Sequence, residues 1–177
     1  AAVGIVEKMI TAIFIIPSTM LATVSALSAQ NIGAKDYGRA RAVLKYAVMI
    51  TTLYGIIVAL IVEFCAPTLL GLFTKDTTVI LLGVQYISSY IIDTIFAGIH
   101  FSFSGYFAAD GKSYIGFIHN IISISLVRVP GSYIASIMYP HNLFPMGLAA
   151  PLGSVLSVII CLIAYCILKK KDELSVL

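Results

Sequence analysis

The chain has 177 residues, of which 60% are hydrophobic and only 11% charged, with a mean hydropathy of +1.03 and a net charge of +3. That is too little charge to cover a soluble domain, and several uncharged runs reach the roughly 20 residues that span a bilayer. The small positive charge sits in loops with no aromatic-interleaved basic patch, so nucleic-acid binding is excluded as a reading.

The first predicted span covers residues 5–30, with Glu7 and Lys8 at its outer end and Pro17 inside it. Pro17 removes one helix hydrogen bond, which predicts a kink, either a hinge or a static bend, with Ser18 and Thr19 beside it to satisfy the freed carbonyl. A polar, basic break follows at residues 29–45, where Lys35, Arg39, Arg41 and Lys45 face only Asp36. Lys and Arg resist translocation, so this loop is expected inside. Gly33 and Gly38 suit the reversal of direction, and Gln30 and Asn31 are expected to cap and pack at the inner helix end.

The second span is expected at 38–62, ended by Glu63 and broken at Pro67, with residues 68–73 lying along the interface. Lys75 and Asp76 form an outer loop, and Thr74 or Asp76 can cap the next helix. The third span, 78–108, holds one charge, Asp93, and is long enough to require tilt or a kink. Asp110-Gly111-Lys112 reads as a tight inner turn. The fourth span, 114–138, carries Arg128 and Pro130 near its centre, and an outer loop bracketed by Pro140 and Pro145 leads to the fifth, 147–168. Lys169, Lys170 and Lys171 stop that span on the inside, so five crossings begin outside and end inside.

Several stretches resemble the multidrug and toxic compound extrusion (MATE) transporters. Ser28-Ala29-Gln30-Asn31-Ile32-Gly33-Ala34 followed by Arg39-Ala40-Arg41 is similar to a loop signature of that family. Leu72-Phe73-Thr74-Lys75-Asp76 resembles its outer loop between the third and fourth helices of a bundle. Gly105-Tyr106-Phe107-Ala108-Ala109 with Asp110-Gly111 is a looser version of its small-residue turn, and Val127-Arg128-Val129-Pro130 resembles an Arg-x-Pro pattern of a fifth helix. The resemblance implies an all-α polytopic membrane bundle holding five of the six helices of one half of a twelve-helix transporter. These are helices 2 to 6 or 8 to 12; the lysine-rich stop favours 8 to 12. The Ala1-Ala2-Val3-Gly4 start, with neither initiator Met nor a basic leader, carries the same expectation of a piece of a longer protein.

Asp93 is the foremost candidate site residue. An ionised carboxylate near the bilayer centre costs about 2.5–3.5 kcal/mol, so such residues face cavities and mark ion pathways. Tyr90, Thr94 and Phe96 can supply hydrogen bonds and an aromatic wall around a bound Na+ or a proton, and the family likeness also implies cation coupling there. The competing reading is an ion pair with Arg128 or a capping role. Arg128 needs a carboxylate or several carbonyls, such as the one that Pro130 frees; it is a charge partner or a substrate contact. His100 falls about 10 Å along the helix from Asp93, on the same face, and serves as a relay or, with His119, as a packing histidine. Phe103 and Tyr133, with Tyr90 and Phe96, can stack on a hydrophobic cation.

Cys65, Cys161 and Cys166 have no metal spacing, and the last two read as buried free thiols. Lys171-Asp172-Glu173-Leu174 imitates a retention signal but is followed by Ser175, Val176 and Leu177. No HExxH, Walker A, GxSxG or CxxC pattern occurs, so an enzyme is not expected and no cofactor beyond Na+ or H+ is implied. The expected partners are the lipid bilayer, small-molecule drugs and the missing N-terminal bundle; the place is the plasma membrane, with the C-terminus cytoplasmic. The function this implies is drug efflux in exchange for Na+ or H+. A lipid or polysaccharide-precursor flippase, or a membrane receptor or scaffold, stands as the alternative.

Overall fold

The computed structural model describes residues 1–174, with side chains as far as Lys169; the side chains of residues 170–174, the Lys170 and Lys171 of the expected stop among them, and the residues 175–177 lie outside what is described. Among the described residues the chain is helical throughout. In order come α1 (Ala2–Ile13), α2 (Ile15–Gly33), α3 (Tyr37–Gly71), α4 (Thr77–Tyr90), α5 (Asp93–Ala109), α6 (Ser113–Ser123), a π-turn (Ile124–Arg128), α7 (Val129–Met138), α8 (Phe144–Gly147) and α9 (Ala149–Leu174). Four continuous or gently bent stretches are long and apolar enough to cross a membrane, and α4 with α5 makes a fifth if the 42° bend between them is one broken span. The chain is thus built as a multi-pass membrane bundle.

The first span is interrupted at Phe14, one turn before Pro17. Proline lacks the N–H that would bond the carbonyl four residues back, at Ile13. That carbonyl accepts instead from the Tyr54 hydroxyl of α3 at 2.9 Å. Ser18 and Thr19 bond the carbonyls of Ile15 and Ile16, so the expected local rescue is replaced by one from a neighbouring helix.

At the basic loop the left-handed conformation falls on Lys35 (φ 59°), not on Gly33 or Gly38. Helix α2 runs through Gly33, and Gly38 lies in the first turn of α3. The turn closes by the Asp36 N–H bonding the Asn31 carbonyl at 2.8 Å, which places the left-handed residue at Lys35. The Asp36 carboxylate then caps α3 by accepting the Arg39 N–H at 2.9 Å. Asp76 caps α4 in the same way through Thr78 and Val79. Gly111 (φ 70°) makes the turn between α5 and α6, closed by the Lys112 N–H on the Phe107 carbonyl.

Helix α3 does not break at Pro67 but runs on to Gly71. Pro67 forfeits one hydrogen bond, while Ala66 and Leu70 on either side are buried in one apolar core with Val62 and Ile87 and hold the last turn in place. The expected interfacial stretch at 68–73 is therefore mostly the end of a transmembrane rod. Cys161 is buried but Cys166 is exposed, against the reading of both as buried.

Helix α5 is the central post, packed against α2, α3, α6 and α9. Small residues permit this. A Cβ on Gly55 of α3 would lie 2.7 Å from the Ile95 Cα, and one on Gly98 of α5 would lie 2.5 Å from the Thr51 Cβ. Two helices in lipid gain little from the hydrophobic effect, so close backbone approach is what holds them. Two apolar clusters sit at the two ends of the bundle. One joins Val6, Ile10, Val62, Leu70 and Ile87; the other, at the basic end, joins Val24, Leu44, Phe103, Phe107 and Cys161. Arg41, Asp110 and Lys169 line one small cleft at the latter end, so the loop cations and the last span's lysine gather on one side.

Candidate polar layer and ion pair

Between the two apolar clusters lies a layer of buried polar groups: Thr51, Asp93, Thr94, His100, His119, Ser123, Ser154 and Ser157 are all at most 4% exposed. The helix break supplies its centre. Helix α4 ends at Tyr90, Ile91 and Ile92 make a tight turn, and α5 restarts at Asp93. No proline or glycine lies at this break. Instead the Ser89 hydroxyl bonds back to the Tyr86 carbonyl at 3.1 Å, a contact that bends helices. Gly147 of α8 also presses there, since a Cβ on it would come 2.6 Å from the same carbonyl.

The restart puts the positive dipole end of a helix in the middle of the molecule, with the Thr94 and Ile95 N–H groups bonded back to the Ile91 and Ile92 carbonyls at 3.1 and 3.2 Å. Asp93 sits in that first turn and is fully buried. Its partner is Arg128, whose Nη2 lies 3.2 Å from Oδ2 and 3.5 Å from Oδ1. Arg128 comes from the π-turn. Pro130 cannot donate to the Leu126 carbonyl, and the widened turn accommodates its ring; the Val129 N–H reaches back to the Ile124 carbonyl.

The guanidinium is also held by Ser154 of α9, which accepts from Nη2 at 2.6 Å. It does not bond the carbonyl that Pro130 frees. Gly153 leaves the room for it: a Cβ there would lie 2.6 Å from the Arg128 Cγ and 2.8 Å from the Ser123 hydroxyl. Ser123 in turn donates to the Gly153 carbonyl at 2.6 Å.

Ser154 continues the layer to His100, 3.4 Å from its Nε2. The rings of His100 and His119 meet edge to face at 5.5 Å, and His119 Nε2 lies 2.8 Å from the Ser104 hydroxyl. Both histidines border a cavity of about 230 Å3 between α2, α5 and α6. His100 is thus joined to the ion pair through a residue of another helix, not directly along its own.

The other residues singled out in the sequence fall in different places. Tyr90 is half-buried, with its ring against Tyr86 at 5.6 Å and Phe14 at 6.4 Å. Thr94 is buried beside Asp93 with its hydroxyl unpartnered. Phe96 is half-buried. Tyr133 is 67% exposed on α7 and is not brought into the layer. Phe103 belongs to the basic-end core, edge to face with Tyr165 at 5.7 Å.

Sequence reasoning missed Ser154 and Gly153. Their signal was a small and polar stripe, Gly153, Ser154 and Ser157, at helical spacing in an otherwise apolar run. Glu7, placed at the outer helix end, is tied to α4 by the Tyr86 hydroxyl at 2.8 Å.

Comparison with known proteins agrees with this architecture. The MatE family model matches residues 1–134. Multidrug and toxin extrusion protein 1 of Homo sapiens, like that of Pongo abelii, is 24% identical over 145 residues, which are 82% of this chain and 25% of the relative. The chain therefore spans about a quarter of the length of these curated relatives. Among solved structures, a mutant of the Vibrio cholerae MATE transporter VcmN superposes with a TM-score of 0.87 at 18% identity, covering 97% of this chain and 39% of that one. An inward-facing MATE transporter of the MOP superfamily gives 0.76 at 15% identity, covering 96% and 39%. At these identities the structures establish the fold, and the match over three quarters of the sequence establishes the lineage: this chain belongs to the MatE family of membrane transporters.

Proposed function

We infer that this chain is the larger part of the C-terminal bundle of a secondary antiporter of the plasma membrane. The complete protein would export organic, often cationic, drugs in exchange for Na+ or H+, with the basic end and the C-terminus in the cytoplasm. The observation that carries the reading is the placement of Asp93. A fully buried carboxylate at a helix break, balanced by one arginine on a π-turn, is a site where an incoming cation has a competitor to displace.

In the structure Arg128 neutralises Asp93. A proton or Na+ that takes its place leaves the guanidinium bound to Ser154 alone. The π-turn beneath it is the element able to adjust, because its wider turn regains a hydrogen bond when it shifts register. Occupancy of Asp93 and the position of α7 are then two faces of one equilibrium, and a drug that prefers one position competes with the cation. A flippase for phosphate-bearing lipids is less well supported, since Arg128 is the one Lys or Arg side chain that reaches the buried layer among the described residues. In a receptor or scaffold the pair would be structural, and neutralising both partners would leave function intact.

The test is ethidium efflux from cells that lack their own exporters and express the complete transporter, under an imposed Na+ or H+ gradient. Asp93→Asn should reduce gradient-driven efflux by roughly a hundredfold, the scale on which a missing coupling group acts. Efflux that persists in Asp93→Asn at the wild-type rate sinks the coupling role.

A further inference from the structure

Helices α2 and α3 leave a groove of about 260 Å3 on the outside of the bundle, between Met20 and Leu27 on one side and Tyr46 and Ile50 on the other. Its depth comes from short side chains, with the buried Val24 and Ala47 as its floor. A wider trough of about 550 Å3 follows α3 past Met49 and Leu53 to Ile56. Tyr46 and Ile50 border both, 62% and 54% exposed, and stand as a ridge between them.

The length of these troughs points to what fills them. Residues 46–62 carry no charge, so Lys45 marks where α3 enters the hydrocarbon. Tyr46 to Ile56 is a rise of about 15 Å, half of a hydrocarbon core roughly 30 Å thick. The troughs thus run from one membrane surface to the bilayer midplane. That is the depth of one leaflet's acyl chains, whereas a crossing helix covers the whole span.

The mouth of the troughs is basic. Lys45 shares its face of α3 with Met49 and Thr52, one and two turns on, and Arg39 lies two turns before Tyr46 on the groove side. Lys35, Arg39 and Lys45 are exposed, and none is in a salt bridge among the described residues. Asp36, the one carboxylate of residues 29–45, is engaged in capping α3 through the Arg39 N–H. Arg41 turns elsewhere, to the cleft that it lines with Tyr106 and Asp110. The Tyr46 ring sits at the level of Lys45, where amphipathic aromatics settle at a membrane surface. Cations without carboxylate partners above an apolar trough one leaflet deep complement an anionic headgroup above acyl chains.

We propose that the α2–α3 troughs are a binding site for one anionic phospholipid, its two chains astride the Tyr46–Ile50 ridge and its phosphate against Lys45 and Arg39. A zwitterionic phospholipid fits the same troughs but gains less from the cations, so the selectivity lies in the headgroup. The chain in the groove bridges the interrupted first span and the α3 rod. The site stands whether or not Asp93 couples transport.

The experiment uses the complete transporter in phosphatidylcholine vesicles with a trace of phosphatidylglycerol that carries a photoreactive diazirine in one acyl chain. After illumination, adducts mapped by mass spectrometry should fall on residues 20–27 and 46–56, and unlabelled phosphatidylglycerol should displace them. A phosphatidylcholine probe with the same chain should label these residues no more than the exposed Leu152, Ile159 and Ile163 of α9. Lys45→Gln and Arg39→Gln should each raise the phosphatidylglycerol needed for half-displacement by roughly fivefold, and Lys45→Arg should keep the wild-type value. Thr23→Phe, which fills the groove and spares the cations, should abolish the adducts on residues 20–27. A wild-type thermal midpoint in phosphatidylcholine alone shows that each variant folds. Equal labelling by the two probes would overturn the site, as would unchanged displacement in both cation variants or surviving adducts in Thr23→Phe. Absence of adducts on α2 and α3, the groove being covered by another helix of the complete protein, would overturn it too.

Discussion

Helix α3 and the α4–α5 span are similar in length and apolar character, yet one is a rod and the other is broken. The rod contains a proline and the broken span has none between Thr77 and Ala109. In α3, Pro67 lies one turn from the end, where a lost hydrogen bond is cheap and Leu70 anchors the turn beyond it. In the other span the bend falls where Ser89 bonds its own backbone and Gly147 presses on the Tyr86 carbonyl. Breaking a helix mid-membrane exposes N–H groups, which is tolerated only inside protein. Here the turn keeps the Thr94 and Ile95 N–H groups paired with the Ile91 and Ile92 carbonyls, and Asp93 lies in the first turn of the restarted helix. The charges follow the same division, with Glu63 of α3 exposed and Asp93 of α5 fully buried.

The largest effect should come from unbalancing the broken span. Arg128→Met strands Asp93 without its partner and should destabilise the bundle by about 3–5 kcal/mol, seen as a lower midpoint of thermal unfolding in detergent. Adding Asp93→Asn should recover most of that loss, because a neutral amide needs no counter-charge. Glu63→Gln on the rod should change the same midpoint by less than about 0.5 kcal/mol, since exposed charges away from such features contribute little. Equal effects at Asp93's partner and at Glu63 would erase the distinction between the two spans.

A medium effect should follow from wedging the spans apart. Gly55→Leu drives a side chain into the Ile95 backbone, and overpacking of this kind costs about 1–3 kcal/mol. Its signature would be faster proteolysis or hydrogen exchange in α5, with α3 itself staying helical. Unchanged exchange in α5 would mean that the close approach is not what holds the post.

The smallest effect should come from Tyr54→Phe, which removes only the hydroxyl that satisfies the Ile13 carbonyl. One hydrogen bond of this type contributes about 1 kcal/mol. The loss should be confined to exchange at residues around the Phe14 interruption. A global loss of stability would show that α3 props the first span through more than this bond.

Much of this was legible in the sequence. Uncharged runs marked the spans, Asp76, offered with Thr74 as a cap, announced the start of α4, and Gly111 announced a turn. Asp93 and Arg128 stood out as charges where lipid allows few. What failed was local. Gly33 and Gly38 were credited with a left-handed turn that Lys35 makes, because the helix runs through Gly33 and the left-handed residue falls two positions after it. Pro67 was given a break it does not cause, while Phe103 lies in the basic-end core and Tyr133 on an exposed face of α7.

The sequence by itself determined that this chain lives in a bilayer, how often it can cross, and which loops share a side, because those depend on hydropathy and on the cost of moving Lys and Arg through lipid. Only the tertiary structure decided where the third span breaks and that Asp93 meets Arg128. It also decided that Ser154 carries the polar layer on to His100 and His119, and that Tyr54 rescues a carbonyl forty-one positions away. The physical reason is that membrane helices are locally alike in composition. Which polar groups satisfy one another depends on which glycines let which backbones approach, and that is a property of the packed bundle.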